Sequence, residues 1–249
     1  MNVQEAHGLC HFRNPLVSVV VPAFNGEDFI DECLSSIERQ TYAPLQTIVV
    51  DDASTDRTAE LALLHNVSLI RNMANCGECR ASMYGCLVAS GKYITRLGQD
   101  DVYVEPDHIL NQIKVMERTN VDFCYNTKTH IGGSPELSSV IKTKWLFTGR
   151  LDNLILQFPH IAFGIWKRRN PINSSSLMFR ASSLSTVNYL TKYRTTWDSI
   201  ILGRMLKRGM SGVAIDAAGV FWRTHPKQTY NNPLYWKELA EIKKGDVES

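Results

Sequence analysis

Two pairs of adjacent carboxylates, Asp51-Asp52 and Asp100-Asp101, each stand just beyond an apolar run, Thr47-Ile48-Val49-Val50 and Tyr93-Ile94-Thr95-Arg96-Leu97. Short runs rich in β-branched and aromatic residues read as buried strands. Folding then delivers four acidic groups to one edge of a sheet, where like charges repel unless a cation or hydrogen-bond donors stand between them. A metal-bound, phosphate-bearing ligand supplies that compensation.

The same reading extends over the first 125 residues. Leu16-Val17-Ser18-Val19-Val20-Val21 is a β-branched run stopped by Pro22. Phe29, Ile30, Cys33, Leu34 and Ile37 then recur at helical spacing until Tyr42-Ala43-Pro44 breaks the pattern. After the strand Thr47 to Val50, Ser54-Thr55-Asp56 offers capping groups for a helix from Thr58 to Leu64. Val67-Ser68-Leu69-Ile70 predicts a third strand, followed by a small-residue helix from about Gly77 to Ala89 and the strand 93–97. Pro106 opens a helix carrying Ile109, Ile113 and Met116, and Val121 to Tyr125 predicts a further strand. Such alternation predicts the α/β class: a mostly parallel central sheet with helices on both faces, binding its ligands beyond the carboxyl ends of the strands. Pro22 to Glu27, Asp51-Asp52 and Asp100-Asp101 all fall at such ends, so residues distant in sequence are expected to converge.

With 249 residues and 44% hydrophobic content, the chain can bury a substantial core as one globular unit with a C-terminal elaboration. Its 27 basic and 25 acidic residues carry no polyanion-binding signature, so nucleic acid is not expected as a partner. Apolar stretches such as Val17 to Val21 fall far short of the roughly 20 residues a membrane span needs. The start Met1-Asn2-Val3-Gln4-Glu5 lacks the basic and then apolar regions of a signal peptide, which predicts a cytoplasmic protein. Cys10, Cys33, Cys76, Cys79, Cys86 and Cys124 show no framework spacing and read as reduced thiols. Cys76-Gly77-Glu78-Cys79 is formally C-x-x-C, yet no second ligand pair follows at the spacing of a zinc site.

Several of these segments, taken in order, resemble a known family. Val17 to Glu27, Cys33-Leu34-Ser35-Ser36-Ile37, Gln40-Thr41-Tyr42, and Val49-Val50-Asp51-Asp52-Ala53-Ser54-Thr55-Asp56 are similar to the opening of a family 2 glycosyltransferase with the GT-A fold. The likeness continues through Asn75-x-Gly77, Ala89-Ser90-Gly91-Lys92-Tyr93-Ile94 and Gln99-Asp100-Asp101. Where a dinucleotide-dependent oxidoreductase would carry G-x-G-x-x-G after its first strand, this chain has Pro22-Ala23-Phe24-Asn25-Gly26-Glu27.

The resemblance implies roles for particular residues. Asp52 would accept from the N3–H of a uracil, with Pro22, Ala23, Phe24 and Glu27 lining the nucleoside pocket. Asp51, Ser54 and Thr55 read as turn and capping residues. Asp100 would lie near the ribose or a metal-bound water, and Asp101 would ligate a divalent cation, Mn²⁺ or Mg²⁺, that neutralises charge on a departing diphosphate. Trp197 to Gly209 resembles the family's catalytic helix and carries the general-base role to Asp198, although Trp197 stands where relatives have a glutamate. Phe221-Trp222-Arg223-Thr224-His225-Pro226 resembles a late motif whose histidine approaches metal or diphosphate, so His225 joins the metal set and Arg223 is a candidate phosphate partner. Relatives carry Ala-Arg-Asn where this chain has Ala81-Ser82-Met83, which makes Arg80 a candidate for the missing diphosphate-binding arginine.

The resulting expectation is an inverting glycosyltransferase using a nucleotide-diphosphate sugar, a UDP-sugar foremost, on a saccharide or lipid-linked saccharide acceptor. A catalytically inactive sugar-nucleotide-binding protein is the alternative. Residues 1–15 form an N-terminal extension, 16–125 the nucleotide-sugar half, 126–230 the acceptor and catalytic-base half, and 231–249 a C-terminal tail, all in one integrated domain. Trp145-Leu146-Phe147 and Ile165-Trp166-Lys167-Arg168-Arg169 leave peripheral contact with the cytoplasmic face of a membrane open, and an acceptor groove or an oligomer interface accounts for them equally.

Overall fold

The structure, a computed structural model, describes residues 14–142, 150–168, 174–188 and 192–244. The first half alternates as the periodicities require, β1 (Val17–Ala23), α1 (Ile30–Glu38), β2 (Leu45–Asp51), α2 (Thr58–Ala62), β3 (Ser68–Arg71), α3 (Glu78–Val88), β4 (Tyr93–Arg96) and α4 (His108–Thr119), except that a two-residue strand the periodicities did not predict, β5 (Val102–Tyr103), stands between β4 and α4. The second half follows with β6 (Phe123–Gly132), β7 (Ser139–Lys142), α5 (Arg150–Leu156), α6 (Pro159–Arg168), β8 (Met178–Arg180), α7 (Ala181–Leu184), α8 (Trp197–Lys207), β9 (Gly212–Arg223) and α9 (Pro233–Lys244).

The strands lie in the order β3-β2-β1-β4-β8-β6-β9-β5, with β7 added on β6. From β3 to β4 every pairing is parallel, as the expected class requires. The second half is mixed: β8 runs antiparallel between β4 and β6, whereas β9 is parallel to β6. The chain leaves β1 for β2 and β3 on one side and returns to place β4 on the other. That reversal opens a crevice beyond the carboxyl ends of β1 and β4.

Because side chains alternate along a strand, β1 feeds two cores. Val17, Val19 and Val21 meet Ile30, Leu34 and Ile37 of α1 and Ile109, Ile113 and Met116 of α4. Val20 faces the opposite layer, where Trp166 of α6 packs with Ile201 and Met205 of α8. Trp166 is fully buried, and its ring fills the space over Gly203, where a Cβ would lie 2.5 Å from it. An aromatic of this class removes roughly 150–250 Å² from water, worth about 4–6 kcal/mol at 25 cal/mol per Å². This corrects one expectation: Trp166 belongs to the core and cannot rest on a leaflet, although Lys167 and Arg168 end the same helix. Trp145-Leu146-Phe147, Arg169 and most of the expected N-terminal extension lie outside the described residues. No helix among the described residues is long and apolar enough to cross a membrane. Residues 233–244, inside the expected C-terminal tail, form α9, whose Ile242 belongs to the same core.

His108 is buried, its ring stacked 4.7 Å from that of Tyr103, and among the described residues neither ring nitrogen has a hydrogen-bond partner. Burial pushes its pKa down from 6.5 to about 3. Below pH 6.5 the unfolded chain takes up a proton that the fold refuses, so stability is lost as pH falls through this window. In His108→Leu that loss is absent. The stability difference between the two proteins, measured by urea unfolding, is expected to move by about 2 kcal/mol in favour of the variant between pH 7 and pH 5. A constant difference would contradict this account of His108.

Candidate active site

A cavity of about 680 Å³ lies at the crevice between β1 and β4. Its first wall is the turn after β1, locked by a reciprocal pair: Phe24 N–H donates to Gln99 Oε1 and Gln99 Nε2 donates to Phe24 O, both 2.9 Å. Pro22, Ala23 and Phe24 line this wall. Glu27 does not; it is exposed, and its carboxylate accepts from Arg57 N–H at 3.2 Å. The loop after β2 is laced to the same turn, since Asn25 N–H donates to Ser54 Oγ and Thr55 N–H donates to Asn25 Oδ1. Asp51 is wholly buried, accepting from Ser54 N–H at 3.0 Å and from Arg71 Nε at 2.9 Å.

Asp52 lies on the cavity wall and is 2% exposed. One carboxylate oxygen accepts from Asn72 Nδ2 at 2.7 Å and Cys76 N–H at 2.9 Å, the other from Gly77 N–H at 2.7 Å. Two lone-pair sites per oxygen leave the second able to accept from a ligand as well. Gly77 adopts φ +91°, and a Cβ there would stand 2.8 Å from Arg194 O, so both backbone geometry and space call for glycine. The neighbouring thiols do not pair: Cys76 Sγ donates to Ala74 O and Cys79 Sγ donates to Thr195 O.

On the β4 side, Asp100 Oδ2 lies 2.9 Å from His225 Nε2. Asp101 is buried and differently engaged, accepting from Ser175 Oγ on one oxygen and from Arg223 N–H at 3.3 Å on the other. Desolvation, reinforced by Asp100, holds the Asp101 carboxyl well above the usual carboxylate range. Two carboxylates and an imidazole on one cavity wall are a hard, oxygen-rich donor set that fits a divalent cation. Among the described residues no three acidic, histidine or cysteine side chains are grouped closely enough to hold an ion by themselves. Such a set suits a cation whose shell is completed by ligand phosphates. Arg223 is consumed elsewhere: its guanidinium donates to Asp100 O, to Gly133 O and to Glu32, and it does not line the cavity. The expectation that Arg223 pairs with phosphate is thereby corrected.

Asp198 lies in the first turn of α8, where the positive end of the helix dipole favours a negative side chain. The N-cap is Thr196, at φ +63°, so Asp198 is not itself the cap. The segment before the helix is fixed from α9, whose buried Glu238 accepts from Arg194 N–H at 2.9 Å, Thr195 N–H at 2.8 Å and Thr195 Oγ1 at 2.5 Å. Asp52, Asp100, Asp101, Asp198 and His225 thus all line one cavity.

Arg80 does not join them. It is exposed, on the face of α3 shared with Tyr84 and Leu87, and lies away from the cavity. Two arginines line the cavity, Arg96 of β4 and Arg194 in the segment before α8. Arg96 donates from Nε to Ser82 Oγ at 3.1 Å, to Ser174 Oγ at 3.0 Å, and to Glu78 Oε1 at 2.5 Å. Burial raises the Glu78 carboxyl, Arg96 offsets part of that, and Asp198, Asp100 and Glu238 add to the rise. Sequence reading passed over both residues, yet a basic side chain inside an otherwise apolar buried strand was the signal for Arg96.

Comparison with known proteins bears on the family and the fold. The family model described as "Glycosyl transferase family 2" matches residues 18–180. The chain is 34% identical over 113 residues to UDP-Glc:alpha-D-GlcNAc-diphosphoundecaprenol beta-1,3-glucosyltransferase WfgD of Escherichia coli, covering 44% of this chain and 44% of that protein. It spans 33–34% of the length of the first curated relatives it matches. Among solved structures, S. aureus TarS 1-349 in complex with UDP-GlcNAc aligns with TM-score 0.67 and 16% identity over 87% of this chain and 60% of that one. Glucosyl-3-phosphoglycerate synthase from Mycobacterium tuberculosis, in complex with Mn²⁺, UDP and glucosyl-3-phosphoglycerate, aligns with TM-score 0.60 and 16% identity over 92% of this chain and 76% of that one.

Proposed function

The chain belongs to glycosyl transferase family 2, and from that premise we propose that it is an inverting, metal-dependent transferase. It moves a sugar from a nucleoside diphosphate donor, foremost a UDP-sugar, to a hydroxyl of a saccharide or lipid-linked saccharide. The observation that carries this reading is that Asp198 shares one cavity with Asp52 on its nucleotide side and with Asp100, Asp101 and His225 on its cation side. UDP-GlcNAc in one structural neighbour and UDP with Mn²⁺ in another support the donor class.

In this reading Pro22, Ala23 and Phe24 seat the nucleoside and Asp52 accepts from the base. Asp100 and His225 are the groups turned toward each other for a cation. Asp101, engaged by Ser175 and Arg223, is the further carboxylate that would hold it. The cation, when bound, neutralises charge on the diphosphate. Asp198 takes the proton of the acceptor hydroxyl as its oxygen bonds to the anomeric carbon. The bond from that carbon to the diphosphate breaks with its electron pair leaving on the diphosphate oxygen, and the single displacement inverts the centre. Arg96, ion-paired with Glu78, and Arg194 place guanidinium groups at the cavity wall. Exposed Phe158 and Ile161, with Lys167 and Arg168 on the same short stretch, supply the peripheral membrane contact that a lipid-linked acceptor needs.

A thermal-shift series with UDP, GDP, CDP and ADP, each with and without Mn²⁺, tests the donor side. Saturation at about 100 times Kd stabilises by about 2.7 kcal/mol, which raises Tm by roughly 5–10 °C in a chain of this size. One base is expected to act, and only with the metal. No shift from any of the four would overturn the reading.

A further inference from the structure

The cavity has a second kind of wall. Besides Pro22, Ala23 and Phe24 it is lined by Trp222, Tyr230 and Tyr235, from the end of β9, the segment leading into α9 and the first turn of α9. A second hollow of about 550 Å³ adjoins it and shares Trp222, His225 and Tyr230, so Tyr230 stands between the two. The ring of Tyr230 is held on three sides: by Trp222 edge-on at 5.9 Å, by Tyr235 at 5.7 Å and by Trp236 at 4.7 Å. Its backbone is tied down as well, with Trp236 Nε1 donating to Tyr230 O at 3.1 Å, and Asn231 Nδ2 donating to His225 O at 3.1 Å. Despite these contacts the side chain remains 44% exposed. An aromatic ring fixed by three others, yet open to a cavity, has little freedom left to lose when a flat apolar surface covers it.

Resting on the transferase reading, we propose that Tyr230 is the platform on which a pyranose ring of the acceptor stacks, seated by Trp222, Tyr235 and Trp236. A pyranose presents just such a surface, an apolar face of axial C–H bonds edged by hydroxyls. Thr229 and Lys227, on the same turn and lining the same cavity, are polar groups available to those hydroxyls. The acceptor is therefore a glycoside recognised by a ring face, at the wall formed by residues 222–236, which runs from the expected acceptor half (126–230) into the expected C-terminal tail. That wall borders the cavity into which Asp198 is placed.

Saturation-transfer NMR on the full chain tests this, using the methyl pyranosides of glucose, galactose, mannose and N-acetylglucosamine with UDP and Mn²⁺ present. At least one pyranoside is expected to receive saturation at its ring C–H protons. Tyr230→Ala is expected to weaken its affinity about 5–10-fold, the size of one aromatic contact, and Tyr230→Phe to retain it. Absence of transfer in the wild type, or equal transfer in Tyr230→Ala, overturns the proposal. So does loss of the UDP thermal shift in Tyr230→Ala, which would assign the ring to the donor. Pyranoside binding in a wild type that binds no nucleoside diphosphate would overturn the transferase reading instead, leaving the platform as a glycan-binding surface.

Discussion

Asp198→Asn is expected to lower the rate of sugar transfer by about 10²–10⁴-fold, the range lost when a positioned general base is removed. Asparagine keeps the size and the first-turn position of the side chain but cannot accept the hydroxyl proton. The UDP-dependent thermal shift is expected to remain, because the nucleotide wall is built from β1 and β2 and not from α8. Two measurements on one variant therefore separate the roles: initial rates with donor and acceptor, and Tm with UDP and Mn²⁺. Unchanged transfer would remove Asp198 from the mechanism. A wild type that binds UDP yet transfers nothing would favour the inactive binding protein of the same fold.

Arg96→Met is the second large effect, and it falls on stability. The Arg96 side chain is 7% exposed and its partner Glu78 is 23% exposed, so methionine would leave a largely buried carboxylate facing Asp198 and Asp100. Stripping the partner from a buried charge costs about 3–5 kcal/mol, and the partial exposure of Glu78 places this case near about 3 kcal/mol. Tm is expected to fall by roughly 10 °C. The double variant Glu78→Gln with Arg96→Met is expected to recover most of that, because no unpaired charge remains. Urea unfolding of the four proteins closes the cycle. A coupling energy below about 0.5 kcal/mol would show that the pair is no more than a surface contact.

These two residues mark how far the chain could be read in advance. Asp198 was found because the contiguous stretch Trp197 to Gly209 resembles the family's catalytic helix. Arg96 was passed over because a strand's residues are read for the strand, although a basic side chain in a buried run ending at the expected ligand edge was a signal. Arg80 shows the opposite error. It is the basic residue nearest the missing arginine in sequence, yet α3 turns it outward with Tyr84 and Leu87, while Cys79, Ala81, Ser82 and Gly85 face the sheet. A two-residue offset on a helix is about 200°, enough to exchange inside for outside. Arg223, next to cavity-lining Trp222, and Glu27, three residues beyond Phe24, are likewise spent on backbone and side-chain partners of their own.

Periodicity and turn chemistry act over a few residues. For that reason the sequence by itself determined the strands and helices of the first half apart from the two-residue β5, the placing of Asp52 and Asp100 just beyond strand ends, and the side of the sheet at which ligands bind. The order of strands is a long-range matter. Insertion of β8 between β4 and β6 brings Ser174 and Ser175 to Arg96 and Asp101, and β9 carries His225 back to Asp100 across 125 residues of sequence. Only the tertiary structure could decide those meetings, because each depends on which buried surfaces pack together and on no pattern within the segments themselves.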